Sequence, residues 1–245
     1  MRKAFASVAV LLVASTVHAR DASQPVKVEL SWRLTLDAQG HVTRLNAAEN
    51  QPVDRVPQIR TRLEQEIRDW QFTSGKLDGQ PAPTETALHV WLTIVPQDAD
   101  TVIMHVDKVT TGATFTHTKP PRYPSSAVHD HISGQVVLRI GYDGNGKISS
   151  IQPEPSAPKA PSVLVQSASK AVQAWTFQPE LVGGHGRAGY VITPFCYTLT
   201  EMITRHVEGK CDWKMPDMAQ SVGEGEALAL DPAARLLTDV VGHAL

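Results

Sequence analysis

The sequence has few of the features that catalytic or cofactor sites need. Its 245 residues include only two cysteines, Cys196 and Cys211, and no CxxC pair, which argues against cysteine-based zinc sites. A phosphate-binding loop, a dinucleotide-binding fingerprint and a catalytic triad pattern are all missing. We therefore predict that the protein is not an enzyme and binds neither a metal nor a small-molecule cofactor.

The chain also lacks a large excess of positive or negative charge and a long apolar run. The formal net charge is −2, the pI is about 6.5, and no basic block is present. The chain thus lacks the positive field that draws in nucleic acid. The apolar stretch from residue 4 to 17 has 14 residues, fewer than the roughly 20 that a membrane span requires.

The first 19 residues have the pattern of a secretory signal. Arg2 and Lys3 precede the short apolar stretch, which ends in Val17-His18-Ala19. A basic start, an apolar run and a small-residue cleavage site together predict a signal peptide over residues 1–19. The mature chain would then begin at Arg20, outside the cytoplasm. An uncleaved inner-membrane anchor is the alternative.

Export would give the two cysteines a structural role. In an oxidising compartment Cys196 and Cys211 are expected to form a disulfide, which closes a loop of about 15 residues and stabilises the fold by about 3 kcal/mol. Two free thiols are the alternative.

Two stretches of the chain share one pattern. Trp-x-Phe occurs at residues 70–72 and again at 175–177. About 30 residues before each pair, an Asp-x-x-Gly turn follows a run of alternating apolar residues, at 30–36 and 136–142. Alternation predicts half-buried strands, and the turn chemistry predicts β-hairpins.

Each hairpin is followed by an apolar stripe of helical period. Its members are Ile59, Leu63, Ile67 and Trp70 in the first stretch, and Leu164, Ala168, Val172 and Trp175 in the second. Further strands are predicted over 84–95 and 187–199. We therefore predict an α+β fold of two β-β-α-β units, each a helix packed on a small antiparallel sheet. Both tryptophans should lie in the cores.

The predicted domain boundaries follow from these patterns. The first unit covers residues 20–96, and a linker with a strand near 101–109 covers 97–118. The second unit covers 119–200. The tail covers 201–245, where Asp231-Pro232 predicts the start of a short helix.

The second unit resembles the TonB C-terminal domain family. The resemblance rests on Tyr123-Pro124, Ala127, Gly134-x-Val136, Gly146 and Trp175-x-Phe177-x-Pro179. It covers residues 119–200. The first unit is a looser match, which keeps Gly40, Trp70 and Phe72 but lacks the Tyr-Pro pair.

The resemblance implies a non-enzymatic, periplasmic protein-interaction module. Members of the family contact outer-membrane receptors in TonB-dependent transport, where a short receptor strand joins a sheet edge by β-strand addition. The expected partner is an envelope protein such as a TonB-dependent receptor, and a homodimer is left open. The matching edge is the last strand, 190–199. The predicted partner-binding residues are Tyr123, Pro124, Tyr190, Val191, Ile192, Thr193, Phe195 and Tyr197.

Two motifs support a weaker alternative, an envelope enzyme or metal-handling protein built on the same scaffold. Ser167-x-x-Lys170 matches the acylating motif of penicillin-binding enzymes, but its companion motifs are missing. His129-Asp130-His131 offers metal-ligand chemistry, but no further ligand at suitable spacing completes the set.

Overall fold

The computed structural model describes residues 24–49, 51–97, 101–199, 211–216 and 221–245, without the side chains of Val53 and Arg55. The predicted signal peptide and residues 201–210 of the tail lie outside this part of the chain. Within it, no helix combines the length and the apolar character that crossing a membrane requires.

The first half of the chain forms two hairpin strands, a helix and a pair of long strands. Its elements are β1 (Val26–Leu36), β2 (Val42–Ala47), a short 3-10 helix (Pro52–Arg55), α1 (Pro57–Asp69), β3 (Lys76–Leu77), β4 (Gln80–Pro81), β5 (Thr84–Pro96), β6 (Val102–Gly112) and β7 (Thr114–His117).

The second half has a similar order of elements. They are α2 (Ser125–His129), β8 (Gly134–Tyr142), β9 (Ile148–Pro153), α3 (Ser162–Val172), β10 (Thr176–Gln178), β11 (Leu181–Val182), β12 (His185–Gly186), β13 (Gly189–Tyr197), β14 (Trp213–Lys214), β15 (Ser221–Val222) and β16 (Leu228–Ala229). Helices and antiparallel sheets confirm the α+β class.

The turns of the two hairpins share one geometry. The Oδ1 atoms of Asp37 and Asp143 each accept hydrogen bonds from the backbone N–H groups two and four residues later, at 2.9 Å. Gly40 and Gly146 have φ of +86° and +77°. A Cβ on either glycine would lie 1.8 or 1.9 Å from the carbonyl oxygen of the phenylalanine in the Trp-x-Phe pair. Both positions therefore require glycine.

Each helix packs its apolar stripe on a sheet. Leu63 and Ile67 of α1 are fully buried, as are Leu164, Ala168 and Val172 of α3. Trp70 and Trp175 lie just beyond the helices, and each is 4% exposed. The prediction that both are core residues is confirmed.

The first sheet is wider than the sequence indicates. Its order is β12-β11-β5-β1-β2, and β6 also pairs with β5. The segment 97–118, expected as a linker with one strand near 101–109, contains β6, which is paired with β5 from Ala87 to Pro96. The same edge of β5 continues onto β11 from the second half.

A short segment from each half of the chain pairs with the other half. β7 pairs with β10, so the Phe115 ring meets Trp175 edge-on and Phe177 at a tilt, with ring centroids 4.8 and 5.0 Å away. In the other direction, residues 235–237 pair with 71–73, with Thr73 N donating to the Arg235 carbonyl at 2.8 Å. Each Trp-x-Phe segment thus pairs with residues from the opposite half of the chain.

The helix predicted from Asp231-Pro232 was wrong. Residues 231–245 form turns and isolated bridges. Their backbone groups bond to the first half instead: Leu237 N donates to the Gln71 carbonyl at 2.8 Å, and Leu245 N donates to the Met104 carbonyl at 2.8 Å. These tertiary partners outweigh the local capping signal.

Candidate functional site

The side chains of β13 are mostly in the core. Val191, Ile192, Thr193, Phe195 and Tyr197, which were predicted to bind a partner, are buried, whereas Tyr190 is 51% exposed. Phe195 and Tyr197 pack with α3 in the main core, and Ile192 packs on the opposite face of the sheet. Contact with a partner would therefore involve the backbone of β13 more than its side chains.

The outer edge of β13 is not free, which corrects the expectation from the sequence. The order of the second sheet is β16-β13-β8-β9, so β13 lies between β8 and β16. Val191 pairs with Ala229, and Leu230 N donates to the Tyr190 carbonyl at 3.0 Å. The sequence could not show this because the occupying residues lie more than 30 positions away.

Pro194 fits this edge. The Tyr190 carbonyl and the Cys196 N–H point outward, away from β8. The first accepts a hydrogen bond from Leu230 N, and the second donates to Glu224 Oε1 at 3.3 Å. Because alternate residues of a strand share an edge, Pro194 also directs its nitrogen outward. The missing N–H therefore breaks no bond to β8.

We call residues 221–230 the strap. Val222 and Leu228 of the strap form an apolar cluster with Trp213, Val137 and Ile192, on the sheet face opposite α3. The strap thus covers both the edge of β13 and part of its second face.

The disulfide holds the tail beside this strand. Cys196 of β13 is bonded to Cys211, with Cα atoms 5.8 Å apart, and the predicted pairing is confirmed. Gln135 Nε2 also donates to the Cys211 carbonyl at 3.1 Å.

The first half of the chain forms the other wall around the strap. The Lys108 ammonium pairs with the Glu226 carboxylate, donates to the Ser221 carbonyl at 2.9 Å and lies 3.8 Å from the centre of the Trp91 ring. Gly112 approaches so closely that a Cβ there would lie 2.4 Å from the Ala229 Cβ. The strap is therefore enclosed between β13 and β6.

Tyr123 and Pro124 lie elsewhere, on a groove of about 630 Å³ beside α3. The Tyr123 hydroxyl donates to the Ile132 carbonyl at 2.8 Å, and its ring meets Tyr197 edge-on at 5.3 Å. These contacts fix the entry into the domain. The predicted residues thus do not converge on one surface, although Tyr123 reaches the inner side of β13.

The Ser-x-x-Lys motif lies on the same groove. Ser167 donates its hydroxyl hydrogen to the Arg122 carbonyl. That bond holds the segment before Tyr123 against α3, which gives the serine a structural role.

His129 and Asp130 form an exposed pair, with Nδ1 and Oδ1 2.8 Å apart. In the part of the chain that the structure describes, no group of three or more His, Cys, Asp or Glu side chains has metal-binding geometry.

Sequence reasoning missed a buried carboxylate where the halves and the tail meet. Glu180 is 1% exposed and accepts hydrogen bonds from Thr86 Oγ1 and from Ala233 N, both at 2.7 Å. The Arg187 Nη1 atom lies 3.8 Å from its Oε2. Burial raises the pKa of Glu180. No local pattern marks this residue, because its hydrogen-bond donors, Thr86 and Ala233, come from distant segments.

Comparisons with known proteins locate the similarity in the second half. Residues 119–199 match the family model described as Gram-negative bacterial TonB protein C-terminal. Protein TonB of Xanthomonas campestris pv. campestris is 31% identical over 80 residues, which cover 33% of this chain and 35% of that protein. Protein tonB2 of Pseudomonas aeruginosa is 33% identical over 88 residues, covering 36% of this chain and 32% of that protein.

The chain thus spans about a third of the length of these curated relatives. Among solved structures, the solution NMR structure of the Pseudomonas aeruginosa TonB C-terminal domain is 25% identical, with a TM-score of 0.30, and the match covers 36% of this chain and 87% of that one. The resemblance carried by Tyr123-Pro124 and Trp175-x-Phe177-x-Pro179 is confirmed: residues 119–199 are similar to the C-terminal domain of Gram-negative TonB proteins.

Proposed function

We propose that this chain is a non-enzymatic periplasmic protein-interaction module that binds an envelope protein by β-strand addition. The partner class that the family match favours is an outer-membrane receptor of TonB-dependent transport. The observation that carries the binding mode is that the outer edge of β13 already holds an extended segment through main-chain hydrogen bonds. A receptor strand would use the same donors and acceptors.

We propose that residues 20–96 and 119–200 are copies of one unit, a view supported by the matched turns at Gly40 and Gly146. We also propose that residues 1–19 are removed on export. Sequencing the N-terminus of the exported protein should find Arg20; Met1 on membrane-bound protein would favour the anchored alternative.

Capture from an envelope extract tests the binding mode. The full mature chain should retain an outer-membrane receptor, and Ile192→Pro should abolish retention because it removes an outward N–H from β13. Ser149→Pro controls for the presence of an added proline in a strand of the same sheet. Ser149 is exposed and falls at the irregularity in the β8–β9 register, where proline is tolerated.

The outcome that would overturn strand addition at β13 is equal capture by the Ile192→Pro chain and by wild type. Failure of the wild-type chain to retain any envelope protein would overturn the proposed function itself. Both variants need a thermal transition like that of wild type before capture is compared.

A further inference from the structure

Among the side-chain contacts of the strap, those of Glu226, Leu228 and Ala229 differ in chemistry. Glu226 places its carboxylate on Lys108, an ion pair whose lysine and glutamate side chains are 14% and 20% exposed. Leu228 enters the apolar cluster with Ile192. Ala229 lies against Gly112, where there is no room for a larger side chain. Together they describe an extended segment with an acidic residue, then a leucine two positions later, then a small residue.

Two of these contacts come from the first half of the chain. Lys108 and Gly112 belong to β6, whereas the main-chain bonds come from β13. Gly112 has φ of +136°, a backbone conformation that β-branched and bulky residues avoid. The first half therefore supplies two of the three side-chain contacts around an edge that the second half supplies.

We infer that this groove between β6 and β13 binds the partner segment and that Lys108 and Gly112 select its acidic and its small residue. The partner carries an acidic residue, a leucine two positions later and a small residue directly after that leucine. The strap, whose matching residues are Glu226, Leu228 and Ala229, occupies the groove until the partner replaces it. This inference rests on the proposed function.

Lys108 requires an acidic residue in the partner segment. A partner that takes the place of the strap covers Lys108 as the strap does, but it removes the Glu226 carboxylate and the Ser221 carbonyl and leaves only the Trp91 ring beside the ammonium. A partly buried cation without a partner is strongly unfavourable. A partner segment that lacks a carboxylate at this position would therefore bind more weakly than the strap itself.

The exchange is local. The strap pairs with β13 at Val191 and Ile192, bonds to the Tyr190 carbonyl and pairs with β14 through Ser221 and Val222, whereas β8 pairs with β13 along nine positions. Beyond the strap, the tail is held by the Cys196–Cys211 disulfide on one side and by residues 235–245 on the other. The strap can leave the groove without unpairing β13 from β8.

Binding of a labelled strap peptide to the full mature chain tests the inference. The probe is a fluorescein-labelled peptide of sequence GEGEALALD, followed by fluorescence anisotropy. Two variants loosen the resident strap: Glu226→Ala removes the ion pair, and Leu228→Ser weakens the apolar contact. Each should bind the probe at least tenfold more tightly than wild type, with the thermal transition checked in parallel.

Charge reversal tests Lys108 directly. A probe carrying Glu226→Lys should bind the Lys108→Glu chain at least tenfold more tightly than it binds the Glu226→Ala chain. The exposed Lys147 supplies the control, since Lys147→Glu should leave probe binding unchanged. A probe carrying Ala229→Leu should bind the loosened chains at least tenfold more weakly than the parent probe.

Three results would overturn the inference. They are absence of probe binding by both loosened, folded variants, failure of the reversed charge pair to restore binding, and dimer formation by the loosened chains in place of peptide binding. Capture of a receptor that is unaffected by Lys108→Glu would leave the proposed function standing and reject this inference. Probe binding without any receptor capture would reject the proposed receptor partner and leave standing only the sequence preference of the groove.

Discussion

Two buried carboxylates, Glu154 and Glu180, respond in opposite ways to their surroundings. Burial alone would raise the pKa of Glu154, but hydrogen bonds from Ser156 and Arg139 outweigh it and lower that pKa. Arg139 Nε lies 2.9 Å from Glu154 Oε2. For Glu180 burial prevails over its hydrogen bonds and over Arg187, so its pKa is raised. The difference lies in how well each charge is compensated.

The raised pKa of Glu180 and the lowered pKa of Glu154 predict opposite pH dependences of stability. A raised folded-state pKa means that the stability Glu180 contributes is present below its ordinary value of 4.5 and lost as the pH rises through the raised pKa. Glu180→Gln should therefore gain thermal stability relative to wild type between pH 4 and pH 7. Melting curves across that range measure the effect.

Glu154→Gln is the matched control with the opposite sign. A lowered pKa means that the stability from Glu154 is present above 4.5 and lost as the pH falls through the lowered pKa. This variant should lose melting temperature relative to wild type most strongly near pH 7. Parallel pH profiles for the two variants would contradict both assignments.

Trp175 should contribute to stability as a core residue. Truncating a buried tryptophan to alanine costs about 3–5 kcal/mol, so Trp175→Ala should lower the free energy of unfolding by that amount, and Trp70→Ala similarly. Trp91→Ala should cost less, because Trp91 is only partly buried. Chemical denaturation measures all three. Intact stability with lost partner capture would identify Trp175 as a binding residue instead.

The structural role of a residue can be predicted from the sequence when its contacts are with near neighbours in the chain. The Asp-x-x-Gly turns and the helical stripes depend on neighbours within a few positions, and both are found where they were predicted. Glu180 could not be predicted in this way. Its environment is set by Thr86, Ala233 and Arg187, two of which lie more than 50 positions away in the chain.

Among the elements, β13 shows where prediction from the sequence fails. Its alternation and Pro194 correctly indicate a strand with an outward-facing edge. Whether that edge is open depends on the strap, which carries too weak a strand pattern to be assigned locally because β16 has only two residues. Pairing between distant short segments is decided by tertiary contacts.

The disulfide should stabilise the arrangement of β13 and the tail. Cys211→Ser should lower the free energy of unfolding by about 2–4 kcal/mol, because the loop of 15 positions is no longer closed in the unfolded chain. Denaturant titration of the oxidised wild type and the variant measures the difference. A thiol assay on the denatured, unreduced wild type should find no free thiol, and two free thiols would contradict the pairing.

At the scale of the whole molecule, the tail joins the two halves into one structure. Ala234 and Val240 belong to the core of the first half, with Leu236 and Leu245 packed against it, whereas Ala229 belongs to the core of the second half. The sequence did not predict this joint construction. The patterns within each half look self-sufficient, and the tail has little periodicity of its own.

Removing the end of the tail should therefore weaken the coupling of the halves, which remain joined by the pairing of β5 with β11 and of β7 with β10. A chain truncated after Pro232 loses the pairing at 71–73 and at 104–106 but keeps the strap. We expect calorimetry to show two thermal transitions, with the lower one from the first half, where wild type shows one. The exposed Val241 provides the control, since Val241→Ser should leave a single transition. A single, unshifted transition for the truncated chain would contradict the joint core.

The pairing of β6 with the residues near 243 has a consequence for biosynthesis. When residues 20–245 are expressed in the cytoplasm and fold during synthesis, the outer edge of β6 waits about 7–26 s for its last partner, because Gly242 follows Gly112 by 130 positions (242 − 112) and ribosomes add about 5–20 residues per second. During that interval an unpaired strand edge is exposed to other nascent chains, which it can join as an aggregate. A holding chaperone that covers extended apolar segments is therefore expected to raise the yield of this chain more than that of its second half expressed alone.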